Sequence, residues 1–147
     1  MRKLLLIHGP ILNRLGKRDS THYGALTLRD IEQLVKKEAK KLGYAVKAFQ
    51  SNYEGALIDF LQKEAEKASG VIINPGAFTH YSFALHDALV DTRQPCIEVH
   101  LSDIASREPW RRVSVTAPAC FAQISGKREV GYVEAVVKLC ERLSKEL

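Results

Sequence analysis

The chain is poor in the residues that mark several broad protein classes. Its 147 residues include three cysteines, one methionine and one tryptophan. The cysteines, Cys96, Cys120 and Cys140, are odd in number and have no CxxC spacing. That argues against a disulfide framework and supplies no zinc or redox-pair motif. Each has apolar neighbours, so all three read as small buried hydrophobes in a reducing compartment. No apolar run approaches the roughly 18 residues of a membrane span. Arg2 and Lys3 precede Leu4-Leu5-Leu6-Ile7 in the manner of a secretion signal, but His8-Gly9-Pro10 ends that run too early. The expectation is a cytoplasmic protein without a membrane partner. The phosphate-binding patterns GxxxxGKS/T and GxGxxG are missing, as is HExxH. No nucleotide, flavin or metal cofactor is therefore expected.

What is present fits a folded domain. Hydrophobic residues make up 46% and charged residues 27%, which excludes a disordered or low-complexity chain. There is no repeat or linker, so residues 1–147 read as one domain, long enough to bury a core without staples. The formal net charge is +5. Lys36, Lys37, Lys40 and Lys41 share one helix as a solvated face. No basic segment is interleaved with aromatics as a nucleic-acid platform would be. The positive balance admits nucleic acid, and also a small anionic substrate drawn to a site.

Hydrophobic spacing predicts alternating strands and helices. Lys3 to Ile7 reads as a strand buried on both faces. Thr27 caps a helix in a capping box with Asp30, and Leu28, Ile31, Leu34, Val35, Ala39 and Leu42 follow at helical spacing up to Gly43. Tyr44 to Phe49 reads as a second strand. Ser51 or Asn52 is the expected cap of a second helix, with Leu57, Ile58, Leu61 and Ala65 inside and Gly70 as its stop. Val71 to Ile73 and Cys96 to Val99 read as further strands, with a helix through Ala84, Leu85, Ala88 and Leu89 between them. A fifth strand falls within Pro118 to Ile124. A last helix starts near Gly131 and buries Val133, Val136, Val137, Cys140 and Leu143. This alternation predicts a flavodoxin-like three-layer sandwich around a five-stranded parallel sheet.

In such sheets, ligands bind beyond the carboxyl ends of the strands. Those ends carry His8-Gly9-Pro10, Gln50-Ser51-Asn52, Asn74 through His80, and His100-Leu101-Ser102. Their convergence points to a small polar ligand. The stretch at about 13–26 is long for a strand-to-helix connection. It holds Arg14, Lys17, Arg18 and Tyr23, with Gly16 and Gly24 within it, and reads as a lid over an anion.

Four ordered blocks then resemble type II 3-dehydroquinate dehydratase. They are Gly9-Pro10-x-Leu12-Asn13-x-Leu15-Gly16-x-Arg18 with Tyr23-Gly24; Gln50-Ser51-Asn52-x-Glu54-Gly55-x-Leu57-Ile58-Asp59; Ile72-Ile73-Asn74-Pro75-Gly76-Ala77-x-Thr79-His80 with Asp87-Ala88-Leu89; and Glu98-Val99-His100-x-Ser102 with Arg107-Glu108 and Arg111. The similarity runs from Lys3 to Tyr132. It implies a flavodoxin-like enzyme without cofactor or metal. Such an enzyme converts 3-dehydroquinate to 3-dehydroshikimate by anti elimination through an enolate, in the shikimate pathway or in quinate breakdown. It also implies a homododecamer, a tetramer of trimers.

Carried onto this chain, the resemblance makes Tyr23 the base and Arg18 the cation that favours its phenolate. His100 becomes the general acid, oriented by Glu98. Asn74, His80 and Arg111 hold substrate hydroxyls. Leu101 and Ser102 hold the carboxylate, and Asp87 reaches a neighbouring subunit's site. The chain departs from the family pattern at several positions. His8 replaces a frequent Asn, Asp19-Ser20 replaces Glu-Pro, His86 stands in place of Arg, and Lys127-Arg128-Glu129 follows Gly126 where the family has a glycine-rich turn. Ile11 replaces an Asn that positions a water against the enolate oxygen, and isoleucine offers no polar atom for that task. Ile11 is the feature behind an alternative reading, a catalytically weak or inactive homologue that binds a related cyclic polyol acid.

Overall fold

Leu4, Leu5, Leu6 and Ile7 are fully buried although they are consecutive. Consecutive strand side chains point to opposite faces, so burial of all four requires cover on both sides. Strand β1 (Arg2–His8) meets that condition with packed residues on both faces, and runs inside the sheet between β2 (Tyr44–Gln50) and β3 (Gly70–Asn74). Strands β4 (Cys96–Val99) and β5 (Ala122–Ile124) complete the order β2-β1-β3-β4-β5. Every pairing is parallel. The computed structural model describes residues 1–146.

Alternation divides the core. Leu4, Leu6, Ile72, Ile97 and Val99 pack under α2 (Leu28–Lys41) and α5 (Glu129–Ser144). Leu5, Ile7, Val71, Ile73 and Cys96 pack under α3 (Glu54–Glu64) and α4 (Phe83–Asp91). The three-layer sandwich expected from the sequence is therefore present. Its topological switch lies between β1 and β3, where chains leaving the sheet diverge and open a crevice.

Several local expectations hold. Thr27 and Asp30 form the full capping box of α2. Gly43 takes φ 89° just beyond that helix, as a left-handed C-terminal residue should. Other expectations need correction. Helix α3 has Tyr53 as its N-cap, with no side-chain cap bond. Ser51 Oγ accepts the Tyr53 N–H, while Asn52 Oδ1 accepts the N–H of Ile11 across the rim. Gly70 does not stop α3, which ends at Glu64 and passes through a 3-10 turn, Ala65–Lys67. Gly70 begins β3, and a Cβ there would lie 2.8 Å from Leu139 Cδ1.

The inner face of α5 is rotated from the expected one. Tyr132, Ala135, Val136, Leu139, Cys140 and Leu143 are buried, whereas Val137 is exposed and Val133 only half-buried. Leu139 fills the space left by Gly70, and Gly131 packs against Ile124. These small residues draw the helix to the sheet along that line. In α2, Ile31, Val35 and Ala39 are buried, while Leu42 is exposed beyond the helix end. Cys96 and Cys140 are buried and Cys120 is half-buried. Burial pushes the Cys96 thiol up to about 11 and raises the other two as well.

Candidate active site

At the switch point, β1 and β3 run into turns that nearly touch. Gly9 donates its N–H to the Asn74 carbonyl at 2.7 Å. A Cβ on Gly9 would stand 2.1 Å from the Pro75 carbonyl oxygen, so only glycine fits. Above this contact opens a pocket that includes Tyr23, Arg18, Asn74, His80, His100, Leu101, Ser102 and Arg111. The structure thus brings together eight of the ten residues expected from the sequence. Glu98 lies directly beneath, bonded to His100. Asp87 lies outside; its side chain is 84% exposed on α4, beside His86.

Two sequence expectations about the rim are corrected. His8 is fully buried rather than facing a ligand, with Nε2 at 3.3 Å from the Glu32 carboxylate on α2. Gln50 and Asn52 do not line the pocket either. Gln50 Nε2 donates to the Gly9 carbonyl and to Asn52 Oδ1. The end of β2 therefore braces the turn after β1.

Glu98 is a charge buried without any exposure. Burial alone would favour its neutral form. Hydrogen bonds from His100, Thr116 and Gln123, with the neighbouring imidazole, outweigh that and hold its pKa down to about 2. Ser114 Oγ is a further donor, at 2.8 Å. An ionised Glu98 can only accept, so His100 Nε2, at 2.9 Å, carries a proton. Nδ1 is left as the ring nitrogen available to a ligand. The bond to the Glu98 carboxylate holds the imidazole in one orientation.

His80 has the opposite arrangement. Its Nδ1 is 2.7 Å from the Val113 carbonyl, which only accepts, so the proton sits on Nδ1. Burial lowers its pKa, against the pull of that bond. Neutral His80 therefore offers Nε2 as an acceptor for a hydroxyl. Ser102 and Leu101 supply backbone as well. Their carbonyls accept from Gly126 and Arg128, and among the described residues no acceptor meets their own N–H groups. Two free N–H groups side by side suit a carboxylate.

Tyr23 ends the short helix α1 (Ser20–Tyr23), which Asp19 caps through the Thr21 N–H. The stretch read as a lid is therefore locally ordered, with a 3-10 turn at Leu12–Arg14 before α1. The Arg18 guanidinium stacks over the Tyr23 ring, 3.7 Å from its centroid. Burial lowers the Arg18 pKa; Tyr23 opposes this, and the charges of Arg107 and Arg111 add to it. The bond to the phenol oxygen comes from elsewhere: Arg107 Nη1 donates to it at 2.7 Å. Arg107 also lines the pocket. Arg107 falls within one of the motifs that carry the family resemblance, which implies no role for it. Nothing in its spacing says that it reaches a residue 84 positions earlier.

Three guanidiniums, from Arg18, Arg107 and Arg111, thus share one pocket. Glu108 partners Arg111 at 2.9 Å and Arg107 at 3.6 Å. The excess is positive and favours an anion. No cluster of three or more His, Cys, Asp or Glu side chains is placed to hold a metal ion among the described residues.

Ile11 also lines the pocket, 51% exposed, with φ 68°. A β-branched residue in the left-handed region is an outlier, costing about 1–3 kcal/mol. Asn52, which accepts the Ile11 N–H at 2.9 Å, helps to hold it there.

Comparison with known proteins agrees with this geometry. The family model described as Dehydroquinase class II matches residues 2–140. The chain belongs to the class II dehydroquinase family. It is 48% identical to the 3-dehydroquinate dehydratase of Clostridium acetobutylicum over 143 residues, covering 97% of this chain and 99% of that one. It is 50% identical to that of Bacillus mycoides over 143 residues, covering 97% and 98%. Among solved structures, the type II dehydroquinase from Propionibacterium acnes superposes with a TM-score of 0.91 at 35% identity, covering 96% of this chain and 97% of that one.

The buried charge in this dehydroquinase-family site has a measurable consequence. The native Glu98 pKa lies below the ordinary 4.5, so its ionisation stabilises the fold above about pH 4.5. That contribution, about 3 kcal/mol from the shift, fades as pH falls from about 4.5 through about 2. Denaturant melts at several pH values should show this slope in the wild type and a flatter one in Glu98→Gln. Equal slopes would mean that Glu98 is not held ionised.

Proposed function

We propose that this protein dehydrates 3-dehydroquinate to 3-dehydroshikimate, with Tyr23 as base and His100 as acid. The observation that carries the reading is the convergence of two differently partnered groups on one pocket. One is a phenol held between two guanidiniums; the other is an imidazole backed by a buried carboxylate.

The chemistry follows from those environments. A phenolate at Tyr23 is stabilised by Arg107 at its oxygen and by Arg18 over its ring. The phenolate takes the proton alpha to the ketone and leaves an enolate. The enolate expels the tertiary hydroxyl, which takes a proton from His100 and departs as water. Glu98 holds the imidazolium in place for that transfer. Leu101 and Ser102 would receive the substrate carboxylate. Asn74, His80 and Arg111 would hold its hydroxyls. Their grip on remote parts of the ring places the reacting carbon against Tyr23.

Purified protein should therefore form the conjugated enone, read by absorbance, without added metal and in the presence of EDTA. Tyr23→Phe should abolish turnover while leaving substrate affinity within about tenfold. Near-normal turnover in Tyr23→Phe would exclude it as the base. A wild type that binds the substrate without converting it would instead fit the binding-protein alternative, whose only support is Ile11.

The assembly is read as a homododecamer, a tetramer of trimers, with Asp87 reaching a neighbouring subunit's site. Its exposure outside its own pocket suits that role. Light scattering should report a large closed oligomer; a fully active monomer would contradict a shared site. The 13–26 stretch would act as the lid. The free thiols suit a cytoplasmic setting, and no helix among the described residues is long and apolar enough to cross a membrane.

Ile11 supplies a sharper test. Packing of Ile11 against Leu12 or Leu15 would leave an Asn there buried without partners. Its exposure removes that objection, and Asn tolerates a positive φ far better than Ile. Ile11→Asn should fold at least as stably as the wild type. It should also raise kcat up to about 10²-fold by holding a water at the enolate oxygen, with KM little changed. A well-folded variant with unchanged kcat would show that another group already serves that oxygen.

A further inference from the structure

Strand parity puts one polar site residue on the α5 side of the sheet. Asn74 follows Ile72 on that face, and its amide meets the Tyr132 hydroxyl. Asn74 Nδ2 donates to it at 3.0 Å. The other end of the same amide is also fixed, because Gly76 donates its N–H to Asn74 Oδ1 at 3.1 Å. A backbone N–H only donates, so Gly76 dictates which end is the oxygen. Tyr132 then receives the nitrogen. The Gly76 N–H thus fixes one orientation of an amide that otherwise has two, and the phenol oxygen takes up its nitrogen end.

We infer that Tyr132 is a positioning residue for substrate binding, acting through Asn74. The inference rests on the dehydratase reading of the pocket. Tyr132 is fully buried and does not line the pocket, so it does not touch substrate. Burial raises its pKa, and it stays a neutral phenol throughout the working pH range. It therefore does not compete with Tyr23 as a base. Its work is to receive one N–H of Asn74. That leaves Asn74 one N–H and one oxygen lone pair for the ligand, in a fixed direction.

This arrangement selects what the ligand presents. A substrate hydroxyl at Asn74 meets one donor and one acceptor whose positions the phenol and the Gly76 N–H have already set. Without the phenol oxygen, Asn74 Nδ2 has no buried acceptor and the amide turns toward the pocket to use the ligand instead. The hydroxyl at Asn74 is not the leaving group and gains no charge in the reaction. The interaction should therefore be felt equally by substrate and transition state.

The test is Tyr132→Phe, which keeps the ring and removes the acceptor. The expected result is a KM raised about tenfold with kcat within about threefold, in a protein whose melt is cooperative. In the Asn74→Ala background, the same substitution should change KM by less than about twofold, because its route to the substrate is gone. A folded Tyr132→Phe with wild-type KM would overturn the inference. So would a full tenfold effect that persists in the Asn74→Ala background, since that would mark a general structural role. Should the wild type itself fail to turn over 3-dehydroquinate, the dehydratase reading falls. The positioning role is then decided by the crystal structure of Tyr132→Phe. An Asn74 amide displaced from its wild-type pose supports it, and an unmoved amide refutes it.

Discussion

A carboxylate buried at the end of β4 constrains the rest of the site. Glu98 has no exposure, and an unpaired charge there would be prohibitively costly. Its ionised form persists because donors arrive from His100, Ser114, Thr116 and Gln123. These donors tie together the turn after β4, the irregular stretch before β5, and β5 itself. Ser114 and Thr116 also share hydrogen bonds with Thr79, and Val115 donates its N–H to the Thr79 carbonyl. That joins the turn carrying His80 to the segment that follows Arg111. One buried charge thus ties His100, the turn carrying His80 and the segment after Arg111 to one another.

The two faces of the sheet supply different services. The face under α3 and α4 carries Leu5, Ile7 and Val71 and, one strand over, Glu98. The face under α2 and α5 carries Leu4, Leu6, His8, Ile72 and Asn74, with Tyr132 above. The pocket is backed by the Glu98–His100 pair on one side and by the Asn74 amide, bonded to Tyr132, on the other. Only the Gly9 and Pro75 turns, in backbone contact, separate the two. Small residues at such a junction allow close approach of the chains, and rigidity there sets the distances above it.

Much of this was legible in the chain. Leu4 to Ile7 announced a doubly covered strand because burial on two faces needs an unbroken aliphatic run. Thr27 and Asp30 announced a helix start because a capping box is a local device. The pocket residues came from where strands end and from ordered motifs resembling a known family. What stayed hidden was set by contacts distant in sequence. Asn52 looks like a helix cap, yet it binds the N–H of Ile11, 41 residues away. His8 looks like a rim residue, yet strand parity turns it under the helices toward Glu32. The burial of α5 is set by Gly70 and Ile124, so its own periodicity was phased wrongly at Val137. Arg107 reaches Tyr23 only because two loops meet over the pocket, and no local pattern encodes that meeting.

The proposed reaction divides its labour between Tyr23 and His100. It is tested most directly by following exchange of the substrate's alpha proton in deuterated water, read by mass spectrometry. A folded His100→Ala variant should catalyse exchange above the uncatalysed rate while forming little enone, because the base still works when the hydroxyl cannot leave. Tyr23→Phe should show neither exchange nor product. Exchange that survives in Tyr23→Phe and disappears in His100→Ala would reverse the two roles and contradict the account.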